Sequence, residues 1–178
     1  MLRKLRDLHA WTVETCDDRV IGRVDDFLFD DEHWAVRYIV VGTGQSVPER
    51  HMLISTLSVE GIDWDGMRIV TELTRGHLHG NSSTFAPSPT KGLSSLRSVR
   101  GVRGCGVHTT SGQIGLIDDV FADDERWSIP YFEITAGHSV DGAMLISPDW
   151  IRNVDWAAGV VLTPSWRHAA APVFEARR

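Results

Sequence analysis

The sequence predicts an all-β protein made of two small β-barrels in tandem. Two observations support this prediction. A segment of the first half of the 178-residue chain recurs in the second half, and the apolar runs in both halves are short and rich in β-branched and aromatic residues. No amphipathic helix of useful length separates these runs. One small domain that occurs twice therefore accounts for most of the chain.

The internal repeat is a collinear series of matches. Residues 21–34 match residues 114–127 at a constant offset, with eight of the fourteen positions identical. After a slip of one residue, the tetrapeptide Met-Leu-Ile-Ser occurs at both 52–55 and 144–147. Chance does not produce such a series. We therefore predict two copies with the same topology.

The domain boundaries follow from where the matches begin and end. We predict barrel repeat 1 at residues 1–74 and barrel repeat 2 at 95–168. Residues 75–94 between them are rich in Gly, Ser, Thr and Pro, a composition that builds no core and predicts a linker. Residues 169–178 are predicted to be a flexible tail.

One glycine recurs at the start of the longest predicted strand of each copy. Gly22 and Gly115 precede acidic pairs at equal spacing. We expect each to provide a positive φ angle or a β-bulge that a β-carbon would obstruct. Replacement by valine is then expected to destabilise either copy.

A set of glycine, acidic and aromatic residues occupies matching positions in the two copies: Gly22, Asp26, Asp30-Asp31, Trp34, Arg37 and Tyr38 in copy 1, and Gly115, Asp119, Asp123-Asp124, Trp127 and Tyr131 in copy 2. This pattern resembles the PRC-barrel family. The resemblance implies a small β-barrel like those of the photosynthetic reaction-centre H subunit and a ribosome maturation factor. Such domains act as interaction platforms and are not catalysts. Copy 2 departs from the pattern at Pro130 and Glu133, which predicts a looser second barrel.

Charge argues against nucleic acid as the main ligand. The chain carries a formal net charge of −6, whereas binding a phosphate backbone needs a basic face. Residues 1–74 carry a net −6 and residues 95–178 a net −2. This asymmetry predicts that copy 1 faces either a basic protein partner or solvent, and solubility is the alternative explanation of the charge. The best basic patch is limited to Arg97, Arg100 and Arg103.

The repeated carboxylates and a histidine pair are the candidates for chemistry. Asp25-Asp26 and Asp118-Asp119 suit a metal or acid–base site, but strand parity favours Asp26 and Asp119 as inward carboxylates that accept backbone N–H groups. The acidic turns 30–32 and 123–125 lack the ligand spacing of a calcium loop and are predicted to be solvated. His77 and His79 have no adjoining ligand cluster. We therefore predict no catalytic, cofactor-binding or metal-binding residues.

The seven tryptophans allow two interpretations. Trp34 and Trp127 occupy repeated positions, as do Trp64 and Trp156. They suit either stacking platforms for bases or structural packing, and their presence in both copies favours packing. Trp11, Trp150 and Trp166 lack a repeated counterpart and are candidates for an interface.

These observations predict a cytoplasmic, non-enzymatic docking module that binds a protein partner at a cytoplasmic membrane face. No apolar run is long enough for a membrane span, and the N-terminal residues lack a signal-peptide core. Cys16 and Cys105 do not match in the repeat and are expected to stay reduced. The alternatives are an RNA-processing or ribosome-associated factor and a small-molecule or metal sensor. A homo-oligomer is compatible with the sequence.

Overall fold

The computed structural model describes residues 1–44, 51–74, 95–136 and 143–163, together with the backbone of residues 171–172. It is 58% strand with few helices, which confirms the all-β fold class. The predicted linker, His77, His79, Trp166 and most of the predicted tail lie outside the described residues. Among the helices that are described, none has the length and apolarity to cross a membrane.

The first half, residues 1–74, contains short strands separated by turns. The strands are β1 (Leu2–Lys4), β2 (Thr12–Thr15), β3 (Val20–Asp30), β4 (Ala35–Gly42), β5 (His51–Ser55), β6 (Val59–Asp63) and β7 (Arg68–Thr71). Single 3-10 turns follow β1 and β5, at Leu5–Leu8 and Thr56–Ser58. Alternation of buried and exposed residues along β3 explains why this segment forms a strand with one face in the core.

The second half, residues 95–178, has a similar succession of elements. They are β8 (Leu96–Ser98), α1 (Val99–Val102), β9 (Gly106–Thr109), β10 (Gly112–Asp123), β11 (Tyr131–Ala136), β12 (Ala143–Ile146), β13 (Asn153–Asp155), β14 (Val160–Leu162) and β15 (Ala171–Pro172). A 3-10 turn at Pro148–Trp150 precedes β13. Ser98 and Ser147 cap α1 and this turn by accepting backbone N–H groups.

The strands pair in the same order in both halves. The order is β5-β4-β3-β2-β7-β6 in the first half and β12-β11-β10-β9-β14-β13 in the second, with β15 added outside β12. The pairing is antiparallel except for β2 with β7 and β9 with β14, which are parallel. Closure of either sheet into a barrel stays a prediction, and so does the origin of the two halves as repeats.

The first strand of each half lies in the sheet of the other half. β1 pairs antiparallel with β10, and β8 pairs antiparallel with β3. The registers correspond, since Leu2 lies opposite Asp123 and Leu96 lies opposite Asp30. The boundaries predicted at 1–74 and 95–168 stay a prediction, but strand pairing crosses them in both directions.

Backbone hydrogen bonds at the repeated tryptophans also connect the two halves. The backbone N–H of Val36 donates to the carbonyl of Trp127, and that of Ile129 donates to the carbonyl of Trp34, both at 2.7 Å. Both tryptophans have a positive φ, 50° and 58°, at the turns that reverse the chain. One hydrophobic core runs through both halves, with Phe29 of the first half in ring contact with the second.

The repeated glycines do not have the positive φ that was one alternative in the prediction, so that alternative is wrong. Both lie next to register shifts, as the bulge alternative requires. A β-carbon on Gly22 would lie 2.3 Å from the carbonyl oxygen of Gly42, and one on Gly115 would lie 2.2 Å from that of Thr135. Close approach of the neighbouring strand is therefore the reason for glycine.

Pro130 shortens one strand of the second half. It lies just before β11, which begins at Tyr131, whereas the matching strand β4 begins at Ala35 and runs through the equivalent Arg37. Proline has no N–H to donate to a ladder, so regular pairing starts after it. The difference is a shorter ladder at this end of β11.

Candidate functional site

The junction between the halves contains two crossed arginine–aspartate pairs. Arg6 donates to the carbonyl oxygen of Asp118 at 2.8 Å and lies 2.7 Å from its carboxylate. Arg100 donates to the carbonyl oxygen of Asp25 at 2.6 Å and to its carboxylate at 2.8 Å. Partial burial raises the pKa of Asp25, but the hydrogen bond from Arg100 and the positive charges of Arg100, His51 and His9 together outweigh burial, so this pKa lies below its ordinary value. Both aspartates thus bind the opposite half.

Asp26 acts as a cap for the second half. Its carboxylate accepts the backbone N–H of Phe27 at 2.8 Å and that of Arg100 at 3.0 Å. The hydroxyl of Ser98 donates to its other oxygen. This arrangement is the one expected for an inward carboxylate that satisfies backbone amides, and it leaves Asp26 no free oxygen for a metal.

Asp119, the counterpart of Asp26, is less well satisfied. Its side chain is fully buried and accepts the backbone N–H of Val120 at 2.8 Å. Its Oδ2 has no hydrogen-bond partner among the described residues, and the Nε of Arg6 lies 3.5 Å away. Burial raises the pKa of Asp119 above its ordinary value. Asp119 is therefore less well compensated for its burial than Asp26.

Two substitutions between the halves explain this difference. Where the second half has Ser98, the first half has Lys4, and where the first half has Val40, the second has Glu133. The ammonium of Lys4 donates to Oε1 of the buried Glu133 at 2.8 Å instead of reaching Asp119. Sequence reasoning noted Glu133 but missed Lys4. Glu133 occupies the position that matches Val40, and a carboxylate at a position expected to be buried predicts a cationic partner.

A small cleft lies beside these charges. Its volume is about 60 Å³, and its walls include Leu5, Arg6, Asp26, Arg100, Arg103 and Asp119. Cofactor sites are several times larger, roughly 300–1,000 Å³. The cleft therefore suits ordered water more than a small-molecule ligand.

The acidic turns cap themselves. Asp30 accepts the backbone N–H groups of Glu32 and His33, at 2.9 and 3.3 Å, and contacts the His33 ring and Arg37 through its other oxygen. Asp123 likewise accepts the N–H of Glu125, at 3.1 Å, and of Arg126. Although ligand atoms of Asp30, Glu32 and His33 lie within 4.8 Å of one another, both oxygens of Asp30 are already engaged.

The repeated tryptophans pack around the junction. Trp34 contacts Phe132 of the other half at a centroid distance of 5.6 Å, and Trp127 contacts Phe27 at 6.1 Å. The indole N–H of Trp156 donates to Asp31 at 2.6 Å. These contacts agree with a role of the repeated tryptophans in structural packing.

Trp64 and the unmatched tryptophans are partly buried as well. Arg3 lies 3.9 Å from the ring centroid of Trp64, whose edge meets Trp11 at 4.9 Å. Trp150 is partly buried against the core. None of these three presents a fully exposed face for stacking.

The predicted basic patch is largely neutralised. Arg97 donates to Asp31 at 2.7 Å, and Arg100 is held by Asp25. Of the three predicted arginines only Arg103 makes no hydrogen bond or ion pair within the described part of the chain. Two carboxylates therefore lie where a phosphate backbone would have to approach.

A surface on the β6–β7 hairpin combines exposed apolar and acidic groups. Leu57 is 89% exposed and Met67 is 58% exposed. Glu60, Asp65 and Glu72 are exposed beside them in the chain. We call these five residues the hairpin surface. Exposed apolar side chains among charges are typical of an interaction site.

The matching hairpin of the second half has a different surface. Asp149, Arg152, Ala157 and Gly159 stand at the positions of Leu57, Glu60, Asp65 and Met67, at the offset of the Met-Leu-Ile-Ser match. The second-half hairpin has an exposed leucine of its own, Leu162, at 43% exposure, but it lacks counterparts of Leu57, Glu60, Asp65 and Met67. Sequence reasoning located the acidity in the first half but did not identify the hairpin surface.

Comparison with protein families relates the first half of the chain to a known domain. No curated protein matches the sequence. PRC-barrel domains are modules often involved in protein–protein interactions. The model of the PRC-barrel domain matches residues 2–78, so the first half of the chain carries a PRC-barrel domain.

Proposed function

We propose that this chain is a non-catalytic protein-docking module made of two PRC-type barrels, whose first half binds a basic protein partner. The observation that carries the proposal is the hairpin surface, where Leu57 and Met67 are exposed among three carboxylates. The frequent role of PRC-barrel domains in protein–protein interactions supports it. The second half supplies the junction and the less acidic face.

The charge of the hairpin surface is not neutralised internally. Glu60, Asp65 and Glu72 form no ion pair with any described residue, whereas Asp25 and Asp30 of the same half are paired with arginines. Exposed carboxylates without internal partners attract cationic groups, and the attraction is screened beyond about 10 Å at 0.1 M salt. The expected partner therefore presents both lysines or arginines and apolar side chains along this hairpin.

The negative charge of the hairpin surface also limits where in the cell the module is expected to act. We place the module in the cytoplasm, and at a membrane face only through its partner, because anionic lipid headgroups repel an acidic surface. The RNA-associated alternative has no supporting observation, since Arg97 and Arg100 are held by Asp31 and Asp25. The sensor alternative has the small cleft at the junction and, beside it, an open surface depression of about 370 Å³ whose lining includes Arg103, Leu116 and Thr135.

Charge removal on the full chain tests this function. The variant Glu60→Gln/Asp65→Asn/Glu72→Gln is compared with wild type for the proteins that each retains from host lysate. The matched control, Asp7→Asn/Asp18→Asn/Glu32→Gln, removes three exposed carboxylates elsewhere in the same half. We expect the hairpin variant to recover the salt-sensitive partner about tenfold less well, and the control to recover it normally.

Two results would overturn the proposal. One is an equal loss with both variants, which would show a non-specific charge effect. The other is partner recovery that neither added salt nor the hairpin variant changes. A companion change, Leu57→Ser, is expected to weaken recovery without altering its salt dependence.

A further inference from the structure

The edge strands β5 and β12 carry the same sequence, Met-Leu-Ile-Ser, starting at residues 52 and 144. β5 ends its pairing order, and β12 ends the matching order apart from β15. Both use the same inner register, with Leu53 opposite Val40 and Leu145 opposite Glu133. On its outer side, β12 pairs with β15, the chain's own segment Ala171–Pro172. The described residues include no strand on the outer side of β5.

The register of β15 shows which backbone groups an added strand uses. Leu145 lies opposite Ala171, and Met144 lies opposite Pro172. Because proline has no N–H, the pair that exchanges hydrogen bonds is Leu145 with Ala171. The N–H and C=O of Leu145 therefore point outward from β12. By the shared register, those of Leu53 point outward from β5.

The leucine on β12 is more buried than the matching leucine on β5, as expected if an added strand such as β15 covers the outer side of β12. Leu145 is 9% exposed, whereas Leu53 is only half-buried. Unpaired N–H and C=O groups on an edge are a template for another strand. Each chain has a single Ala171–Pro172 segment, and that segment is already paired with β12.

We propose that the outer edge of β5 binds an extended segment of another protein by antiparallel strand addition, with a small residue opposite Leu53 and a proline opposite Met52. The backbone of Leu53 supplies the hydrogen bonds, as Leu145 does for β15. Strand addition is a recurring mode of peptide recognition. This site is separate from the hairpin surface, because β5 and β6 stand at opposite ends of the pairing order, so either site can fail alone.

A peptide with the sequence of residues 169–174, Ala-Ala-Ala-Pro-Val-Phe, capped at both ends, tests the proposal on the full chain. The measurement is amide hydrogen exchange at Leu53. We expect saturating peptide to slow this exchange about tenfold or more, since a new hydrogen bond protects the N–H. The same peptide with its third alanine N-methylated lacks the donor and is expected to bind about tenfold more weakly.

Two protein variants complete the test. Leu53→Pro removes the outward N–H without removing a bond to β4, and it is expected to abolish peptide binding, whereas Leu53→Val is expected to keep it. A chain that ends at residue 168 frees the β12 edge and is expected to bind a second peptide, with protection of Leu145.

Three results would overturn the proposal. The first is protection of Leu145 in the shortened chain with no effect at Leu53. The second is equal binding of the N-methylated peptide. The third is a Leu53 amide that is already protected from exchange without peptide. Such protection would show that another part of the chain pairs with the edge of β5. If the protection rises with protein concentration, a second copy of the chain pairs with it instead.

Discussion

The two matching aspartates at the junction, Asp26 and Asp119, differ in how many hydrogen bonds their carboxylates accept. Asp26 of the first half receives a hydroxyl and two backbone N–H groups from its surroundings. Asp119 of the second half is completely buried, yet one of its oxygens has no hydrogen bond within the described residues. The backbone frame is the same around both, so the difference comes from side chains that the other half contributes.

The contrast comes from two matched positions that carry different residues in the two halves. Lys4 stands in place of Ser98, and Glu133 stands in place of Val40, so one change supplies the charge that the other needs. The two substitutions lie in different halves and meet only because β1 crosses into the other sheet. Asp119 has a raised pKa and one oxygen without a hydrogen bond within the described residues.

The largest expected effect comes from filling the glycine positions. Gly22→Val and Gly115→Val would each place a β-carbon within 2.3 Å of a carbonyl oxygen on the next strand. We expect each to lower the free energy of unfolding by about 2 kcal/mol or more, measured by denaturant titration. Gly61→Val is the control, because a β-carbon there has no atom within 4 Å. Equal stability of all three variants would contradict this account of the close approach.

The next effect concerns the buried ion pair. Lys4→Met leaves the Glu133 carboxylate without its cation and is expected to cost about 2 kcal/mol, less than a fully buried pair because the lysine is 36% exposed. The double variant Lys4→Ser/Glu133→Val copies the first-half arrangement and is expected to recover most of that loss. Chemical denaturation of the three proteins provides the test. A double variant as unstable as Lys4→Met would show that the two substitutions are unrelated.

A smaller effect is a change in pH dependence. Burial raises the pKa of Asp119 in the folded chain above its ordinary value of 3.8. At a pH between 3.8 and the folded pKa, the folded chain therefore holds a proton that the unfolded chain has lost. Its contribution to stability is full below pH 3.8 and is lost as pH rises through the folded pKa. Asp119→Asn is therefore expected to reduce the fall in stability over this range.

Asp25→Asn is the comparison for that measurement. The pKa of Asp25 is lowered, so its contribution is present above pH 3.8 and is lost as pH falls through the folded pKa. We expect this variant to alter only the acid limb of a stability profile. The Asp119 interpretation fails if Asp119→Asn leaves the slope above pH 3.8 unchanged.

Much of the fold was predictable, because strand periodicity and turn residues are local signals. The all-β class is confirmed, and the bulges beside Gly22 and Gly115 agree with one predicted alternative. The exchange of β1 and β8 was not predictable, since each is three residues long and carries no sign of which sheet it joins. The Lys4–Glu133 pair depends on that exchange and was missed for the same reason.

The surface could be predicted only in part. Counting charges located the acidity in the first half, but a count does not show which carboxylates have partners. Arg97 and Arg100 appeared available in the sequence and are neutralised by Asp31 and Asp25 in the structure. The hairpin surface depends on exposure, which a short β-hairpin sequence does not specify.

Native-state hydrogen exchange on the Gly22→Val variant tests most directly whether the exchanged strands make the two halves one folding unit. Ile39 in β4 and Ile134 in β11 are both completely buried and lie in different halves. Because β1 and β8 tie each sheet to the other half, the variant is expected to lower the opening free energies of both amides by equal amounts. A loss at Ile39 with Ile134 unchanged would show that the halves unfold separately and would contradict this account.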